Sequence, residues 1–156
     1  MKKNIIIIST LVFFIDQLVK LIVSLNLNLN SSINIISDFF KITYLTNTGA
    51  AWSIFNNHSY LLIFISLAVF IFLIYYSHYF IMNKHNTIAF GLVFGGLLGN
   101  LFDRIFHGYV IDYLDFKLIN YNYPVFNLAD TALVIGIVML IVAIVKGEDK
   151  NEFSGK

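Results

Sequence analysis

The chain has 156 residues, 58% of them apolar and 12% charged, with a mean hydropathy of +0.79. An ordinary soluble domain carries about 25% charged residues, so charge is too scarce here to cover a water-facing globule, and an integral membrane protein is the class that fits. A net charge of +1 excludes a strongly basic nucleic-acid binder, and the absence of cysteine removes disulfides, thiolate metal sites and a cysteine nucleophile together.

A membrane-crossing helix needs about 20 consecutive apolar residues. Four such runs are expected, at residues 4–25, 60–80, 87–106 and 129–145. Lys2 and Lys3 precede the first run, as they would in a secretory signal peptide. Signal peptides have a shorter apolar core and a small-residue cleavage site. Here Leu21, Ile22 and Val23 prolong the run and no Ala-x-Ala pattern follows, so an uncleaved helix is expected. The second run is interrupted only by Ser66, Ser77 and His78. The third carries Gly91, Gly95, Gly96 and Gly99, a spacing that lets helix backbones approach closely in lipid and predicts a central position.

Lysine placement sets the expected orientation, because cytoplasmic loops are enriched in basic residues. With the amino terminus inside, Lys2, Lys3, Lys84, Lys146, Lys150 and Lys156 are cytoplasmic, and the outer loops 26–59 and 107–128 hold only Lys41 and Lys117. Both termini are therefore expected in the cytoplasm, with the long loops, where function concentrates, on the outer face. The first outer loop is rich in Asn and Ser and then runs Phe39-Phe40-Lys41-Ile42-Thr43-Tyr44-Leu45, compatible with a short strand lying on the membrane surface. Tyr109, Tyr113, Phe116, Tyr121, Tyr123 and Phe126 of the second loop read as an aromatic belt at headgroup level. The expected fold is a mainly α membrane protein, one domain over residues 1–156, with four transmembrane helices, a small extracytoplasmic β element and a loop cradle.

Ionisable groups near the centre of a membrane helix cost about 2.5–3.5 kcal/mol each on insertion scales, so their positions are informative. Asp16 and Lys20 fall in the outer half of the first helix, Asn100, Asp103 and Arg104 at the outer end of the third, and Asp130 at the start of the fourth. Asp112 follows Arg104 by eight residues in the apolar setting Val110-Ile111-Asp112-Tyr113, and Asp38 and Asp115 lie in the outer loops. The remaining acids, Glu148, Asp149 and Glu152, read as a solvated cytoplasmic end. Taken singly, most of these residues have structural explanations. Asp16 and Lys20, spaced i, i+4, can neutralise each other. Arg104 can tie loops down through its fork of donors, and Asp130 can cap a helix. Their convergence at one depth is what points to chemistry.

A metal site is not expected, because His58, His78, His85 and His107 are scattered without ligand spacing. A serine and lysine pair, Ser24 with Lys20, is set back by Asp16 as the neighbour of Lys20. Two carboxylates remain. Held together in a low-dielectric site they do not both ionise, so one acts as acid and the other as base against an amide.

Five motifs, in order, carry a family resemblance: Asp16-Gln17-x-x-Lys20, Asn47-x-Gly49-Ala50-Ala51, Gly96-x-x-Gly99-Asn100-x-x-Asp103-Arg104, Val110-x-Asp112 and Asn127-x-Ala129-Asp130. The chain resembles the bacterial lipoprotein, or type II, signal peptidases, four-helix aspartic peptidases of the cytoplasmic membrane. Trp52 stands where many members have Phe, and Asp115 adds a carboxylate that not all members share. The resemblance implies a catalytic pair of Asp112 and Asp130. It implies that Asn47, Gly49, Asn100, Arg104 and Asn127 line or brace the site, with Ala129 in the same motif, and that Asp16, Lys20 and Asp103 supply supporting electrostatics. The implied substrate is a prolipoprotein whose cysteine already carries diacylglycerol, cut immediately before that cysteine. No cofactor is implied, a monomer is expected, and cyclic peptide antibiotics of the globomycin type should inhibit. The competing class is a non-enzymatic membrane protein, a transporter subunit or assembly partner, which would favour polar residues continuing across the midplane.

Overall fold

The computed structural model describes residues 2–49, 54–55, 58–119 and 121–149. Ala50, Ala51 and Trp52, and Lys150, Glu152 and Lys156 of the tail, lie outside the described residues. In chain order the elements are α1 (Lys2–Asn26), β1 (Ser32–Ile36), β2 (Phe40–Asn47), α2 (Ser59–Tyr76), α3 (Lys84–His107), β3 (Val110–Leu118), β4 (Tyr121–Asn122) and α4 (Leu128–Val145), with a 3-10 turn over Ser77–Tyr79. Among the described residues four helices are long and apolar enough to cross a membrane. Their limits fall within a few residues of the hydropathy runs, because membrane helices end where the apolar run ends.

α3 is the axis of the bundle, with 61% of its apolar window buried against 6% for α2. The glycines explain why. A Cβ at Gly91 would strike Ile8, one at Gly95 would strike Val12, and one at Gly96 would strike the backbone oxygen of Ala129. α3 therefore meets α1 on one side and α4 on the other at a separation that only a missing side chain allows. Large apolar side chains such as Phe14, Phe64, Ile71, Phe72 and Ile141 point outward, as lipid-facing residues do.

The segments between α1 and α2 and between α3 and α4 form a four-stranded antiparallel sheet in the order β1-β2-β3-β4. The strand expected near residues 39–45 is β2, whereas β1 in the Asn-rich segment and β3 in the aromatic segment were not legible as strands. β2 and β3 pair Lys41 with Asp115 and Ile42 with Leu114, then Leu45 with Asp112 and Asn47 with Val110, the register shifting once between Ile42 and Leu45. At that bulge two residues of β2 face one of β3, which bends the strand near the helix ends. α3 stops at Gly108, whose left-handed backbone (φ 79°) carries the cap N–H to the Arg104 carbonyl and turns the chain into β3.

The end of the bundle at which α3 begins corrects the reading of Glu148 as solvated. Its carboxylate accepts from Asn83 Nδ2 (2.8 Å) and Asn86 Nδ2 (2.9 Å), and its carbonyl accepts from the Ile81 amide (2.8 Å). Asp149 continues the contact as a bridge to Phe80. Hydrogen bonds to the carboxylate hold the Glu148 pKa below its usual range.

Candidate active site

Asp112 sits on β3 and Asp130 in the first turn of α4, and Asn127 joins them. Asn127 Nδ2 donates to Asp112 Oδ1 (2.7 Å), while its backbone N–H donates to Asp130 Oδ2 (3.2 Å). Asn127 is the true N-cap, its Oδ1 accepting from the Asp130 amide at 2.9 Å, so Asp130 is the third residue of a reciprocal capping box and not the cap itself. Asn47 Nδ2 donates to the second oxygen of Asp112 (3.0 Å), and Asn100 Nδ2 to Asp130 Oδ1 (2.7 Å). Each carboxylate thus receives a side-chain amide donor on one oxygen and a further donor on the other.

Asp112 is 4% exposed. Burial, and after it the negative charge of Asp130, push its pKa up to about 7, against the opposing effect of the Asn47 and Asn127 hydrogen bonds. Tyr113, its neighbour, is also pushed up by burial, and its neutral hydroxyl accepts from the Leu128 amide (3.1 Å). The two candidate carboxylates of β3 are separated by geometry. Side chains alternate along a strand, so a spacing of three puts Asp115 on the opposite face from Asp112. Asp115 accepts from the Thr43 hydroxyl (2.8 Å) instead.

Beneath the pair lies a buried charge cluster. Lys20 Nζ is 2.7 Å from Asp16 Oδ2 and 2.8 Å from Asp103 Oδ2, with all three side chains at most 2% exposed. Lys20 therefore serves two carboxylates and not Asp16 alone. It also donates to Asn100 Oδ1 (3.2 Å), which turns the Asn100 amide nitrogen toward Asp130. Both carboxylates also accept backbone amides: Asp16 takes the Ala129 N–H on its other oxygen, Oδ1 (3.0 Å), and Asp103 takes that of Ile111 on the same Oδ2 that meets Lys20 (3.2 Å). One cluster thereby fixes the start of α4 and the start of β3, the two segments that carry Asp130 and Asp112. Ser24 Oγ is spent on the Leu21 carbonyl (2.9 Å) and does not meet Lys20.

Arg104 Nη2 donates to the Gly49 carbonyl (3.0 Å), and the Gly49 amide donates to Asn47 Oδ1 (2.9 Å), so the guanidinium does hold the loop that follows β2. Its buried Nε has no acceptor among the described residues. Arg104, Asn100 and Asp130 form the polar end of a cavity of about 210 Å³ whose other walls are Leu62, Ile65, Ser66, Leu97 and Leu133. The cavity is therefore walled by α2, α3 and α4, with Asp130 as its carboxylate. The residues that the resemblance assigns to the catalytic pair and its support belong to one connected network, Ala129 through its amide. Gln17 was assigned no role, yet its Nε2 donates to Asp103 Oδ1 (2.9 Å) and to the Gly99 carbonyl (3.3 Å). Its named place in the motif Asp16-Gln17-x-x-Lys20 was the signal.

Comparison with known proteins gives a single answer. Residues 8–146 match the family model described as signal peptidase (SPase) II. A lipoprotein signal peptidase of Halothermothrix orenii is 45% identical over 136 residues, covering 87% of this chain and 91% of that protein. Two solved structures, each described as a bacterial membrane enzyme determined by the in meso method, have the same fold. One has a TM-score of 0.84 at 32% identity, covering 99% of this chain and 94% of its own. The other has a TM-score of 0.80 at 34% identity, covering 92% and 94%.

Proposed function

The chain belongs to the signal peptidase II family, and on that premise we propose that it is an aspartic endopeptidase in which Asp112 and Asp130 cut prolipoproteins before their lipid-modified cysteine. It is a multi-pass membrane peptidase that removes the signal peptide from prolipoproteins. The observation that carries the finer reading is the pair of carboxylates sharing Asn127, one of which, Asp130, stands at the polar end of a largely apolar cavity between the helices. A substrate with a membrane-spanning signal helix and a diacylglycerol tail arrives through lipid, and a cavity walled mainly by apolar side chains of three membrane helices suits it.

The pair works with one proton between its members. The ionised carboxylate takes a proton from water as the water oxygen bonds to the scissile carbonyl carbon, forming a tetrahedral intermediate. The protonated carboxyl gives its proton to the departing nitrogen as the C–N bond breaks. One proton has been taken and one given, so the pair ends with its original count and the roles exchanged. Arg104 Nε and the amide of Asn100 are the donors beside the developing charge. The two carboxylates and water supply every group the step needs, and no cofactor enters. Within this reading residues 1–156 form a single domain in the bacterial cytoplasmic membrane, both termini lie in the cytoplasm and the site faces outward. One chain holds the whole site, so the monomer is the working unit.

The non-enzymatic alternative has no observation in its favour. Residues 88–98 of α3 and 132–145 of α4 carry no charged side chain, so the polar network stops at one end of the bundle. The direct test is incubation of purified protein with a diacylglyceryl-modified prolipoprotein peptide and its unmodified counterpart, with products identified by mass. A product beginning at the modified cysteine, formed much faster than from the unmodified peptide and blocked by a globomycin-type inhibitor, is expected. Equal cleavage of both peptides would contradict the reading.

The rate should also depend on pH with a definite sign. Below about pH 7 Asp112 keeps its proton and the pair has an acid; as pH rises through about 7 both carboxylates ionise and the rate falls. Asn47 stabilises the ionised form of Asp112, so Asn47→Ala should move the alkaline limb of the kcat profile upward by about one pH unit, the worth of one hydrogen bond to a charged group. An unmoved or lowered limb in that variant would show that Asp112 does not set it.

A further inference from the structure

A second cavity lies away from the paired carboxylates. It measures about 410 Å³, and its walls include Phe39, Lys41, Asp115, Lys117, Tyr123 and Pro124. Lys41 and Lys117 are the only Lys or Arg residues in segments 27–58 and 108–127, and antiparallel pairing brings both to this one place. Lys41 stands opposite Asp115, and the Lys117 amide donates to the Phe39 carbonyl (2.9 Å) one step further along the same ladder. Asp115 is occupied by the Thr43 hydroxyl, and among the described residues neither lysine is in an ion pair. The cavity therefore combines two cations with a single partly satisfied anion.

The sheet face decides what this site meets. Lys117 and Asp115 share the face of Tyr113, which rests on the start of α4, and of Thr43, which is buried. Asp112 points to the other face, so a peptide bond held at the catalytic pair does not lie over the lysines. Next to the cavity the β3–β4 turn presents Leu118 (47% exposed), Ile119 (91%) and Tyr121 (52%). A cluster of large apolar side chains flanked by lysines is the composition of a segment seated in a bilayer interface, with the ammonium groups at phosphate level.

We propose that this cavity binds the phosphate of an anionic phospholipid, with Lys41 and Lys117 on the phosphate and the turn at Leu118, Ile119 and Tyr121 in the adjoining acyl region. The sheet is thereby moored to the membrane by a lipid on the face opposite the catalytic one. The inference rests on the membrane reading of the chain and not on the identity of its catalytic residues. Its primary readout, lipid retention, uses no cleavage step.

Full-length protein in detergent is titrated with phosphatidylglycerol or phosphatidylcholine, and retained lipid is counted by native mass spectrometry. The unaltered protein should hold phosphatidylglycerol in preference to phosphatidylcholine. Lys41→Gln/Lys117→Gln should weaken that binding about tenfold, which allows for the opposing charge of Asp115. Lys41→Arg/Lys117→Arg should retain it, and millimolar inorganic phosphate should not displace it. Equal retention by the glutamine variant would overturn the proposal. So would displacement by inorganic phosphate, which marks a free-anion site. Unchanged lipid retention with a raised KM for precursors acidic after the cysteine would also overturn it, since the cavity would then read the peptide. Should the double variant fail to fold, each single substitution is measured, with a shift of about threefold expected and no shift again overturning the proposal.

Discussion

Asp112→Asn and Asp130→Asn are each expected to lower kcat for a lipid-modified precursor by about 10³-fold or more, the range lost when a positioned acid or base is removed. Substrate binding should change far less. The two variants fail for different local reasons. At position 112 both carboxylate oxygens accept amide N–H donors, from Asn47 and Asn127. An amide there sets one NH2 group against a donor, and Asn47 cannot turn over without losing the bond from Gly49 to its Oδ1. At position 130 the new amide oxygen can keep the backbone N–H of Asn127, but its NH2 group then faces that of Asn100. Asn100 is fixed by Lys20 and Asn127, both of which donate to its oxygen. Both variants should still melt cooperatively in detergent, since the bundle contacts are untouched. Full activity in either one, measured by release of the signal peptide, would remove that residue from the reaction.

Lys20→Met is expected to be the most destabilising single change, by about 3–5 kcal/mol. It leaves Asp16 and Asp103 buried, facing one another's charge without a cation. For a chain of this size that corresponds to a drop in Tm of about 10 °C, readable by thermal melting in detergent. The triple variant Asp16→Asn/Lys20→Met/Asp103→Asn should recover most of the loss, because neutral amides can still accept the Ala129 and Ile111 N–H groups. Recovered stability need not restore activity, since Asn100 loses the ammonium that orients it toward Asp130. An unchanged Tm in Lys20→Met would mean that the cluster is not the brace described above.

Strand β3 shows where reading by pattern stopped. Val110–Leu118 reads VIDYLDFKL, with its two aspartates three apart, so it lacks the strict alternation that marks a half-buried strand and looks like an aromatic belt. Its strand character comes from pairing with β2, some seventy residues earlier in the chain, and from the Asp103 carboxylate that receives the Ile111 amide. Glu148 was misread for a related reason. An acidic tail looks solvated until its donors, the side-chain amides of Asn83 and Asn86, are seen to be folded against it.

The sequence by itself determined the membrane class, the four spans, the central place of the glycine-rich helix and the depth at which the costly polar groups gather. Each of these is a property of local composition or of helical period, and desolvation in lipid makes each expensive to violate. Only the tertiary structure decided which carboxylates meet. Asp112 and Asp115 differ by strand parity, and Asp130 reaches Asp112 only because Asn127 caps α4 beside β3. Lys20 could neutralise Asp16 on its own helix. That it also binds Asp103, and so positions the strand and the helix bearing the pair, depends on the close packing of α1 against α3 that the glycines allow.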